Sequence, residues 1–485
     1  MTSPLAHLEP AYLWKHFDQL RQIPRPSRKE ERVIEHVKKW AAERKFEVRQ
    51  DAVGNICVVV PPTPGHEKAK IVIVQGHLDM VAEKDKATTF DFDKDPIEVR
   101  VDGDWVVADH TTLGADNGLG IAAAMASVDD PSVVHGPLEL LFTIDEETAL
   151  TGATHLDGSI LKGRTLLNLD SEEDGAVFVG CAGGCTTTTK FDLVRAPAPA
   201  GYKALRVEVT GLKGGHSGLV IHENRGNSLK ILARVLQQWM GKVDVLLHAI
   251  EGGNKHNAIP REASAVVLVP ASFVEDGRSA AAAMQKKVLT EIATIDPGLE
   301  IKISEVAEAI AKPANAECTR RFVRMLIGLP HGVIAMSRDL AGLTETSTNL
   351  AVIQSDDAAV TITTSSRSSV EAALRFTLDQ LNAVIELAGG KWSESGGYPG
   401  WQPNMASPLL KACKSVFHEL RGKDPHVTAI HAGLECGIIG EKLGGADMIS
   451  FGPLLEGVHA PGERVNIPSV ARFWDFYKAV LRSLA

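Results

Sequence analysis

Histidines and carboxylates directly follow four apolar runs of this 485-residue sequence. The six residues are His77 and Asp79 in IVIVQGHLDM, Glu146 and Glu147 in LELLFTIDEE, Asp170 in TLLNLDSEE, and His459 in DMISFGPLLEGVHAPGE. Apolar runs of this length are typical of buried strands, and open α/β sheets bind ligands outside the carboxyl ends of their strands. The pattern therefore predicts that these imidazoles and carboxylates converge on one pocket.

A further carboxylate, Asp116, lies in TTLGADNGLGIAAAMASV, just before an alanine-rich helical stretch. The nearby Gly114, Gly118 and Gly120 would let the backbone approach a site closely. An aspartate at this position could simply cap the helix. Together with the other four sites, the sequence favours Asp116 as a metal ligand, with the helix cap as the alternative.

The donor types indicate which metal the pocket would take. Imidazole and carboxylate without thiolate suit zinc, with manganese or cobalt as alternatives. One catalytic zinc needs three protein ligands and an open position, and this set is larger. The sequence therefore predicts two Zn²⁺ per chain sharing a bridging carboxylate, with Co²⁺ or Mn²⁺ as possible substitutes.

The adjacent pair Glu146–Glu147 predicts a division of roles. Neighbouring residues at the end of a strand point in different directions, so one can bind metal while the other faces water as a general base. The alternative is two surface glutamates in a turn, which the apolar run before them makes less favourable.

The His-x-Asp pair at 77 and 79 is typical of an oriented metal ligand. A metal-binding imidazole usually donates its other N–H to a carboxylate or carbonyl, which fixes its tautomer. Asp79 is therefore the candidate partner that orients His77.

The elements expected to position these residues alternate between strand and helix. Predicted strands are Asn55–Val60, Ile71–Val74, Leu138–Ile144, Leu166–Leu169 and Ala446–Phe451, and predicted helices include Ile121–Val128 and Ser469–Leu484. Residues 9–50 are predicted to be helical throughout. This alternation favours an α/β sheet with helices on both faces.

Two changes of composition mark domain boundaries. The segment CAGGCTTTTKFDLVRAPAPAGYKALRVEVTGL begins near Gly180, and GGKWSESGGYPGWQPN is rich in Gly, Ser and Pro. We expect a middle domain, 187–393, inserted into a domain formed by 1–186 and 394–485, which carries the candidate site. No short-period repeat is visible.

Composition excludes several classes of protein. The formal net charge is −10, without a basic cluster, so nucleic-acid binding is not expected. No run approaches the ~20 apolar residues of a membrane span, and the N-terminal segment lacks the pattern of a signal peptide. The six cysteines are expected to be reduced thiols. These features predict a cytoplasmic protein that acts on small molecules.

Five ordered motifs, GHLDM, GADNG, DEE, NLD and GVHAPGE, resemble the co-catalytic zinc family of aminoacylases, carboxypeptidases and dipeptidases. The resemblance covers essentially the whole chain, including GGHSG at 214–218 and HAGLECG at 431–437. It implies a zinc-exopeptidase-like three-layer catalytic domain with a mixed sheet, and an inserted α+β lid domain that also serves in dimerisation. A homodimer is the expected assembly.

The family resemblance also implies a role for each matching position. His77 and Asp170 would bind one zinc, Glu147 and His459 the other, Asp116 would bridge them, Asp79 would orient His77, and Glu146 would be the general base and acid.

Four more residues are implied to bind substrate. His216 in GLKGGHSG would stabilise the oxyanion, Arg367 in TTSSRSS would receive the substrate carboxylate, and Asn257 in GGNKHNAIP would make a polar contact. Glu435 in HAGLECG is a candidate contact for the substrate amino group. Many relatives carry an acidic residue where this chain has Ser365, which leaves the detail of Arg367 open. A loop histidine between glycines is the alternative for His216.

The expected reaction is metal-dependent hydrolysis of dipeptides by a metal-bridging hydroxide, with Glu146 as general base. The resemblance suggests dipeptides with a C-terminal histidine, such as β-alanyl-histidine, and broad tolerance at the first residue. Another hydrolase of the same family is the nearest alternative: a tripeptidase, a carboxypeptidase or an N-acyl amino-acid deacylase. A non-catalytic metal-binding protein is the alternative from another class, and the spare carboxylate of Glu146 argues against it.

Overall fold

The structure is a computed structural model that describes residues 3–485. Met1 and Thr2 lie outside the described residues. They are the first residues of the predicted domain 1–186 and of the segment expected to lack a signal peptide. The α-helices are α1 (Ala11–Leu20), α2 (Glu31–Glu43), α3 (Ala115–Asp129), α4 (Glu146–Ala149), α5 (Thr151–Thr154), α6 (Ser228–Met240), α7 (Val274–Ile292), α8 (Ala316–Gly328), α9 (Glu371–Leu387), α10 (Pro408–Arg421), α11 (Glu435–Lys442) and α12 (Ile467–Ser483). Between residues 3 and 485, no helix is long and apolar enough to cross a membrane.

The strands are shorter and more numerous. They are β1 (Glu47–Gln50), β2 (Ile56–Val60), β3 (Val72–His77), β4 (Val99–Asp102), β5 (Trp105–Ala108), β6 (Leu138–Thr143), β7 (Thr165–Asn168), β8 (Ala176–Cys181), β9 (Gly183–Asp192), β10 (Tyr202–Thr210), β11 (Gly215–His216), β12 (Leu246–Gly252), β13 (Ala258–Ile259), β14 (Ala263–Pro270), β15 (Glu300–Glu305), β16 (Gly332–Met336), β17 (Thr344–Ser355), β18 (Ala359–Ser368), β19 (Lys391–Tyr398), β20 (His426–Ile430), β21 (Asp447–Ser450), β22 (Leu455–Glu456) and β23 (Arg464–Asn466).

The chain divides into two compact units. The first unit is the described part of Met1–Cys181 with Trp401–Ala429 and Leu434–Ala485, and the second unit is Ala182–Gly400 with Ile430–Gly433. The predicted boundaries at 186/187 and 393/394 instead fall inside β9 and β19, because the Gly- and Thr-rich composition that suggested a boundary belongs to strands of the second unit. The role of the second unit as a lid and dimerisation domain stays a prediction.

The first unit is built on an eight-stranded mixed sheet in the order β1-β2-β6-β3-β7-β21-β8-β20. Strands β6, β3, β7 and β21 run parallel to one another, whereas β2 and β8 join this group antiparallel. Every residue of β3 and β6 is buried, which explains why parallel strands read as near-continuous apolar runs. The sheet confirms the predicted α/β class with a mixed sheet.

Helix α3 shows how the sheet is covered. Residues Gly118–Ser127 are all buried, and the helix packs against β3 and α1. Its small alanine side chains allow this close approach on several sides. The closing helix α12 packs against α10 and places Tyr477 and Phe473 beside Phe451. These contacts fix the parallel strands whose carboxyl ends carry the candidate ligands.

The prediction of helix throughout residues 9–50 is wrong at its end. Residues Glu47–Gln50 form β1, which pairs antiparallel with β2. The side chain of Asp51 accepts hydrogen bonds from the N–H groups of Val53, Gly54 and Asn55, and this turn returns the chain into β2. The mixed charged and apolar sequence of β1 reflects its place at the sheet edge, with residues that are partly or fully exposed.

The second unit contains a nine-stranded sheet in the order β15-β10-β14-β12-β17-β18-β9-β19, with β16 paired to β17. Helices α6 to α9 supply apolar side chains to its single hydrophobic core. Phe191 and Phe322 meet in this core with ring centroids 5.4 Å apart. The arrangement fits the predicted α+β class of the inserted domain.

This sheet contains the same topology twice. We name β10-α6-β12-β14-α7-β15 the inner half and β9-α8-β17-β18-α9-β19 the outer half. Each half is a βαββαβ unit. If its four strands are numbered along the chain, their order across the sheet is 4-1-3-2, which is β15-β10-β14-β12 in the inner half and β19-β9-β18-β17 in the outer half. The halves meet where β12 pairs with β17, at Glu251 opposite Gln354, and α6 packs against α8. The inner half is inserted after the first strand of the outer half, so the repeat is nested.

Candidate metal centre

The first unit brings His77 to the end of β3 in a fully enclosed position. The side chain is 1% exposed, and its Nδ1 lies 3.2 Å from Oδ1 of Asp79. Its Nε2 lies 3.0 Å from Oδ1 of Asp116 and 3.4 Å from Oδ1 of Asp170. An imidazole that donates Nδ1–H to Asp79 presents the Nε2 lone pair to two carboxylates, and a cation between these atoms would make all three contacts favourable.

Asp116 faces two histidines at once. Its Oδ1 lies 3.0 Å from Nε2 of His77, and its Oδ2 lies 3.3 Å from Nε2 of His459. The helix-cap alternative is wrong, because Gly114 occupies the N-cap of α3 and both oxygens of Asp116 face imidazoles instead of backbone N–H groups of the helix. A carboxylate with each oxygen turned to a different imidazole has the geometry of a bridging ligand.

Glu146 and Glu147 open α4, just after β6 ends. Oε2 of Glu147 lies 2.9 Å from Nε2 of His459, and the Glu147 side chain is only 4% exposed. Two surface glutamates in a turn are therefore excluded. Glu146 lies in the same group as His77 and Glu147, and it keeps partial exposure to solvent, which an acceptor for a proton of water needs.

Three overlapping groups of candidate ligand atoms result from this arrangement. They are His77 with Glu146 and Glu147, His77 with Asp116 and Asp170, and Asp116 with Glu147 and His459, with the atoms of each group within 4.8 Å of one another. Within residues 3–485, Oε1 of Glu147 and Oδ1 of Asp170 are buried acceptors without a hydrogen-bond donor. Buried acceptors normally have partners, so the donor set fits two cations that share Asp116.

The electrostatics of the cluster lead to the same conclusion. Burial raises the pKa of both Glu146 and Asp170 well above the usual range, and neighbouring carboxylates add to the effect. Hydrogen bonds with Asp116 and Glu147 raise the pKa of His459 to about 11. The cluster therefore carries more negative charge than its surroundings balance, and it would exchange protons for divalent cations.

A neighbouring acidic group does not need a cation. Glu30, Asp79 and Asp145 are buried with their carboxylates close together. Glu30 accepts the N–H of Asp145, and Asp145 accepts the hydroxyls of Thr148 and Thr151. The protein itself satisfies these oxygens, in contrast to those of the metal cluster.

Asp79 does more than orient His77. Its Oδ1 accepts the N–H of Glu146 at 3.0 Å, and its Oδ2 accepts the N–H of Glu147 at 3.2 Å and the hydroxyl of Ser27 at 2.7 Å. Although burial opposes the change, hydrogen bonds from His77, Glu146 and Ser27 lower the pKa of Asp79 to about 2. One ionised carboxylate thus fixes both the imidazole and the backbone of the glutamate pair.

Arg25 is a site residue that the sequence analysis missed. Its guanidinium is fully buried and donates to the carbonyls of Leu78, at 2.9 Å, and Asp79, at 2.6 Å. It also donates to the carbonyl of Gly114. A Cβ on Gly114 would lie 2.7 Å from Nη2 of Arg25, and the positive φ of 67° favours glycine as well. Nothing in the local sequence distinguishes this arginine from an exposed one.

Glu463 is a second residue missing from the predicted site, although GVHAPGE contains it. Its side chain is buried, and its carboxylate accepts hydrogen bonds from the backbone N–H groups of Leu113, Gly114, Ala115 and Asp116. Burial and the charge of Asp116 raise the pKa of Glu463 to about 7, against the effect of these backbone N–H groups.

Glu435 lies at the start of α11 with no exposed surface. Its Oε2 accepts hydrogen bonds from Nε2 of Gln75 at 2.6 Å and from the hydroxyl of Thr143 at 2.7 Å. Gln75 in turn accepts a hydrogen bond from Asn168 at 2.5 Å, so the network connects α11 with β3, β6 and β7. A contact with the substrate amino group stays a prediction, and it requires this carboxylate to become uncovered.

The other predicted substrate-binding residues belong to the second unit. His216 lies in β11, which pairs with β13, and the carbonyl of Asn257 accepts the N–H of Ser217 at 2.8 Å. Nδ1 of His216 accepts the N–H of Leu219 at 3.2 Å, which places the ring proton on Nε2. Burial and the charge of Arg367 lower the pKa of His216, so the ring is a neutral donor near pH 7.

Arg367 in β18 is 8% exposed and donates to the hydroxyl of Tyr398 at 2.9 Å. Within the described residues 3–485, Nε of Arg367 is buried and has no hydrogen-bond acceptor. His431, which the sequence analysis did not single out, accompanies it, and burial together with Arg367 lowers the pKa of His431 to about 3. A buried guanidinium with an N–H that lacks an acceptor is suited to an anionic ligand.

A family comparison decides what kind of protein carries these features. Residues 73–483 match the model of peptidase family M20/M25/M40. The chain belongs to this family. Membership in the M20/M25/M40 family, with the two ligand groups that share Asp116, makes the protein a metallopeptidase, as the sequence predicted.

Individual proteins and solved structures are similar to nearly the whole chain. The cytosol non-specific dipeptidase of Escherichia coli (strain K12) is 40% identical over 482 residues, which span 99% of this chain and 99% of that protein. The crystal structure of aminoacylhistidine dipeptidase from Vibrio alginolyticus matches with a TM-score of 0.93 and 40% identity, over 99% of this chain and 98% of that chain. Aminopeptidase PepT from Bacillus cereus ATCC 10987, with a TM-score of 0.56 and 15% identity over 98% of this chain and 99% of that chain, shares the fold.

Proposed function

We propose that this protein is a two-zinc dipeptidase that hydrolyses Xaa-His dipeptides, with broad tolerance at the first residue. The observation that carries the proposal is the placement of Asp116, whose two oxygens face His77 and His459 separately. The full-length identity to a dipeptidase supports the substrate class. The name of the Vibrio alginolyticus relative supports histidine as the second residue.

In this proposal His77 and Asp170 would hold one ion, Glu147 and His459 would hold the other, and Asp116 would be a ligand of both. Co²⁺ and Mn²⁺ have compatible ligand preferences and are possible substitutes for Zn²⁺. When bound, the two ions would polarise the scissile carbonyl and make water acidic enough to act as a nucleophile near neutral pH.

Glu146 is the proposed general base and acid. It would accept a proton from the attacking water and return it to the leaving amine. Its position beside His77 and Glu147 and its partial exposure support this role. Because burial, together with nearby carboxylates, raises the pKa of Glu146, this side chain can hold the proton between the two steps.

Groups of the second unit are proposed to bind the ends of the substrate. Arg367 would receive the substrate carboxylate in a bidentate contact, which its buried Nε, without an acceptor among residues 3–485, supports. His216 would donate from Nε2 to the oxyanion, and Asn257 would make a nearby polar contact. Glu435 would contact the substrate amino group. Recognition of a free carboxylate would restrict the enzyme to short peptides.

The proposal includes a cytoplasmic homodimer. The six cysteines are free thiols, and the Escherichia coli relative is named as a cytosol protein. The strands β15 and β19 lie at the two ends of the nine-stranded sheet, where a second copy could add a strand. Light scattering on the purified protein measures the oligomeric state directly.

The first test is hydrolysis of alanyl-histidine and β-alanyl-histidine by purified protein loaded with zinc. We expect cleavage that a chelator removes and added Zn²⁺ restores. Glu146→Gln should lower kcat by about 10²- to 10⁴-fold while both ions remain bound, because only proton transfer is lost. Glu173→Gln, which changes an exposed carboxylate of the same unit, is the matched control and should leave kcat unchanged.

Related substrates separate the alternatives within the family. Cleavage of N-acetyl-histidine but of neither dipeptide would reject the dipeptidase in favour of a deacylase. Preferential cleavage of alanyl-alanyl-histidine, or release of histidine from longer peptides, would favour a tripeptidase or a carboxypeptidase. Metal binding without hydrolysis of any of these substrates would contradict the catalytic role of the site.

A further inference from the structure

The carboxylate of Glu463 is held by four consecutive backbone N–H groups. Oε2 accepts hydrogen bonds from Leu113 at 2.7 Å and Gly114 at 3.1 Å. Oε1 accepts them from Ala115 at 2.9 Å and Asp116 at 3.4 Å. These groups lead into α3 through a non-helical backbone at Asp116, so they have no partner within the helix. One side chain therefore satisfies the backbone that leads directly into the bridging carboxylate.

The same residue belongs to the segment that carries His459. Glu463 follows His459 by four positions in GVHAPGE. Its carbonyl accepts the N–H of Ala108 at 3.2 Å, and the N–H of Gly462 donates to the carbonyl of Thr111 at 3.0 Å. The His459 segment and the Asp116 segment are thus joined by backbone as well as side-chain hydrogen bonds.

Arg25 completes the support of the Asp116 segment. It donates to the carbonyl of Gly114, whose N–H is bound by Glu463, and to the carbonyl of Leu78, directly after His77. The peptide groups on both sides of Gly114 are consequently bound by charged side chains. Charged hydrogen bonds are stronger than neutral ones, and they hold this segment at a defined distance from both histidines.

We propose that Glu463 is a positioning residue that sets the orientation of Asp116 between the two metal sites by tying its segment to that of His459. The proposal rests on the proposed function, because it presupposes metal ions at Asp116. Glu463 itself does not bind metal. Its effect is to reduce the freedom of a ligand that would otherwise have to be ordered when the ions bind.

A carboxylate is specifically required by this geometry. Both oxygens accept two N–H groups each, and glutamine has only one such oxygen. The amide NH₂ of Glu463→Gln would oppose two N–H donors. Aspartate keeps both oxygens but has a side chain one methylene shorter, so Glu463→Asp should retain part of the contacts. Glu463→Gln therefore tests the loss of one acceptor oxygen and its charge, and Glu463→Asp tests the shorter side chain.

The test compares Glu463→Gln and Glu463→Asp with Glu456→Gln, which changes an exposed carboxylate in the adjacent β22. Apparent metal affinity is measured by competition with a chelator, and the ligand geometry by the visible absorption of protein loaded with Co²⁺. We expect a 10- to 100-fold weaker affinity for Glu463→Gln, in the range typical of residues that orient metal ligands, and an altered cobalt spectrum. Glu463→Asp should lie between this variant and the wild type, and Glu456→Gln should match the wild type.

A purely structural role of Glu463 would give a different result. In that case the variants would lower the melting temperature, while the folded protein kept the wild-type metal affinity and cobalt spectrum, and this outcome would overturn the proposal. If Glu463→Gln does not fold, Glu463→Asp decides by the same two measurements. A wild-type protein that binds two ions without cleaving dipeptides would reject the proposed function, but affinity and spectrum would still test the role of Glu463.

Discussion

Asp79→Asn is a sharp test of how the metal cluster is organised. The carboxylate receives the imidazole Nδ1–H of His77 and the N–H of Glu146 on one oxygen. The N–H of Glu147 and the hydroxyl of Ser27 lie on the other oxygen. An asparagine that keeps its oxygen towards His77 turns its NH₂ to the N–H of Glu147, whereas the hydroxyl of Ser27 can rotate and accept.

The size of the effect follows from that one unsatisfied donor. Leaving a buried N–H without an acceptor costs about 1–3 kcal/mol. At about 1.4 kcal/mol for each tenfold change, this corresponds to a factor of about 5 to 150. The loss should appear as weaker metal binding and lower kcat/KM, because Glu147 is a proposed ligand and Glu146 the proposed base.

The assay combines zinc affinity by chelator competition with alanyl-histidine kinetics at saturating zinc. Asp51→Asn is the matched control, since the Asp51 carboxylate also accepts backbone N–H groups, those of Val53 and Gly54, in a turn without candidate ligands. It should reduce thermal stability without changing zinc affinity. Equal zinc affinity and kcat/KM in Asp79→Asn and the wild type would refute the organising role of Asp79.

Two further predictions concern the substrate carboxylate and the pH dependence of stability. Arg367→Lys should raise KM for alanyl-histidine by about 10- to 100-fold with a smaller change in kcat, because lysine cannot make the bidentate contact; an unchanged KM would remove this residue from the substrate site. Asp129→Asn should lower the free energy of unfolding by about 2 kcal/mol at pH 7, since hydrogen bonds from His16, Arg44 and Trp40 outweigh burial and depress the pKa of Asp129. A depressed pKa stabilises above the unfolded value of about 3.9, so the difference measured by urea unfolding should shrink from pH 7 to pH 3.5, and a difference that grows at low pH would contradict this assignment.

The sequence was most informative about the candidate metal ligands, because they directly follow recognisable apolar runs. Apolar runs identified β3 and β6 because parallel strands are buried on both faces, and candidate ligands could be found directly after them. The candidate metal ligands around His77 and Asp116 were all named from this pattern together with the family resemblance. For His77, Glu146, Glu147 and Asp170, the convergence follows from the rule that the carboxyl ends of parallel strands share one edge.

Residues that act on the backbone could not be found in this way. Arg25 and Glu463 bind peptide groups whose positions exist only in the folded chain, and their side-chain types are common on surfaces. The burial of Glu435 could not be predicted from the sequence either, because its hydrogen-bond partners Gln75 and Thr143 lie far from it along the chain. The strand β1 was mistaken for helix because an exposed edge strand has no alternating apolar pattern.

The nested repeat of the second unit has a consequence for how its two halves can evolve. Two identical halves on separate chains would dissociate on dilution, and any substitution would change both at once. In one chain the inner and outer halves stay together at every protein concentration, since their association is intramolecular. Each half can therefore carry different residues: His216 and Asn257 lie within the inner half, and Arg367 lies in the outer half. Within one chain the two halves need not be identical, so the proposed proton donor and the proposed carboxylate-binding cation are each needed only once.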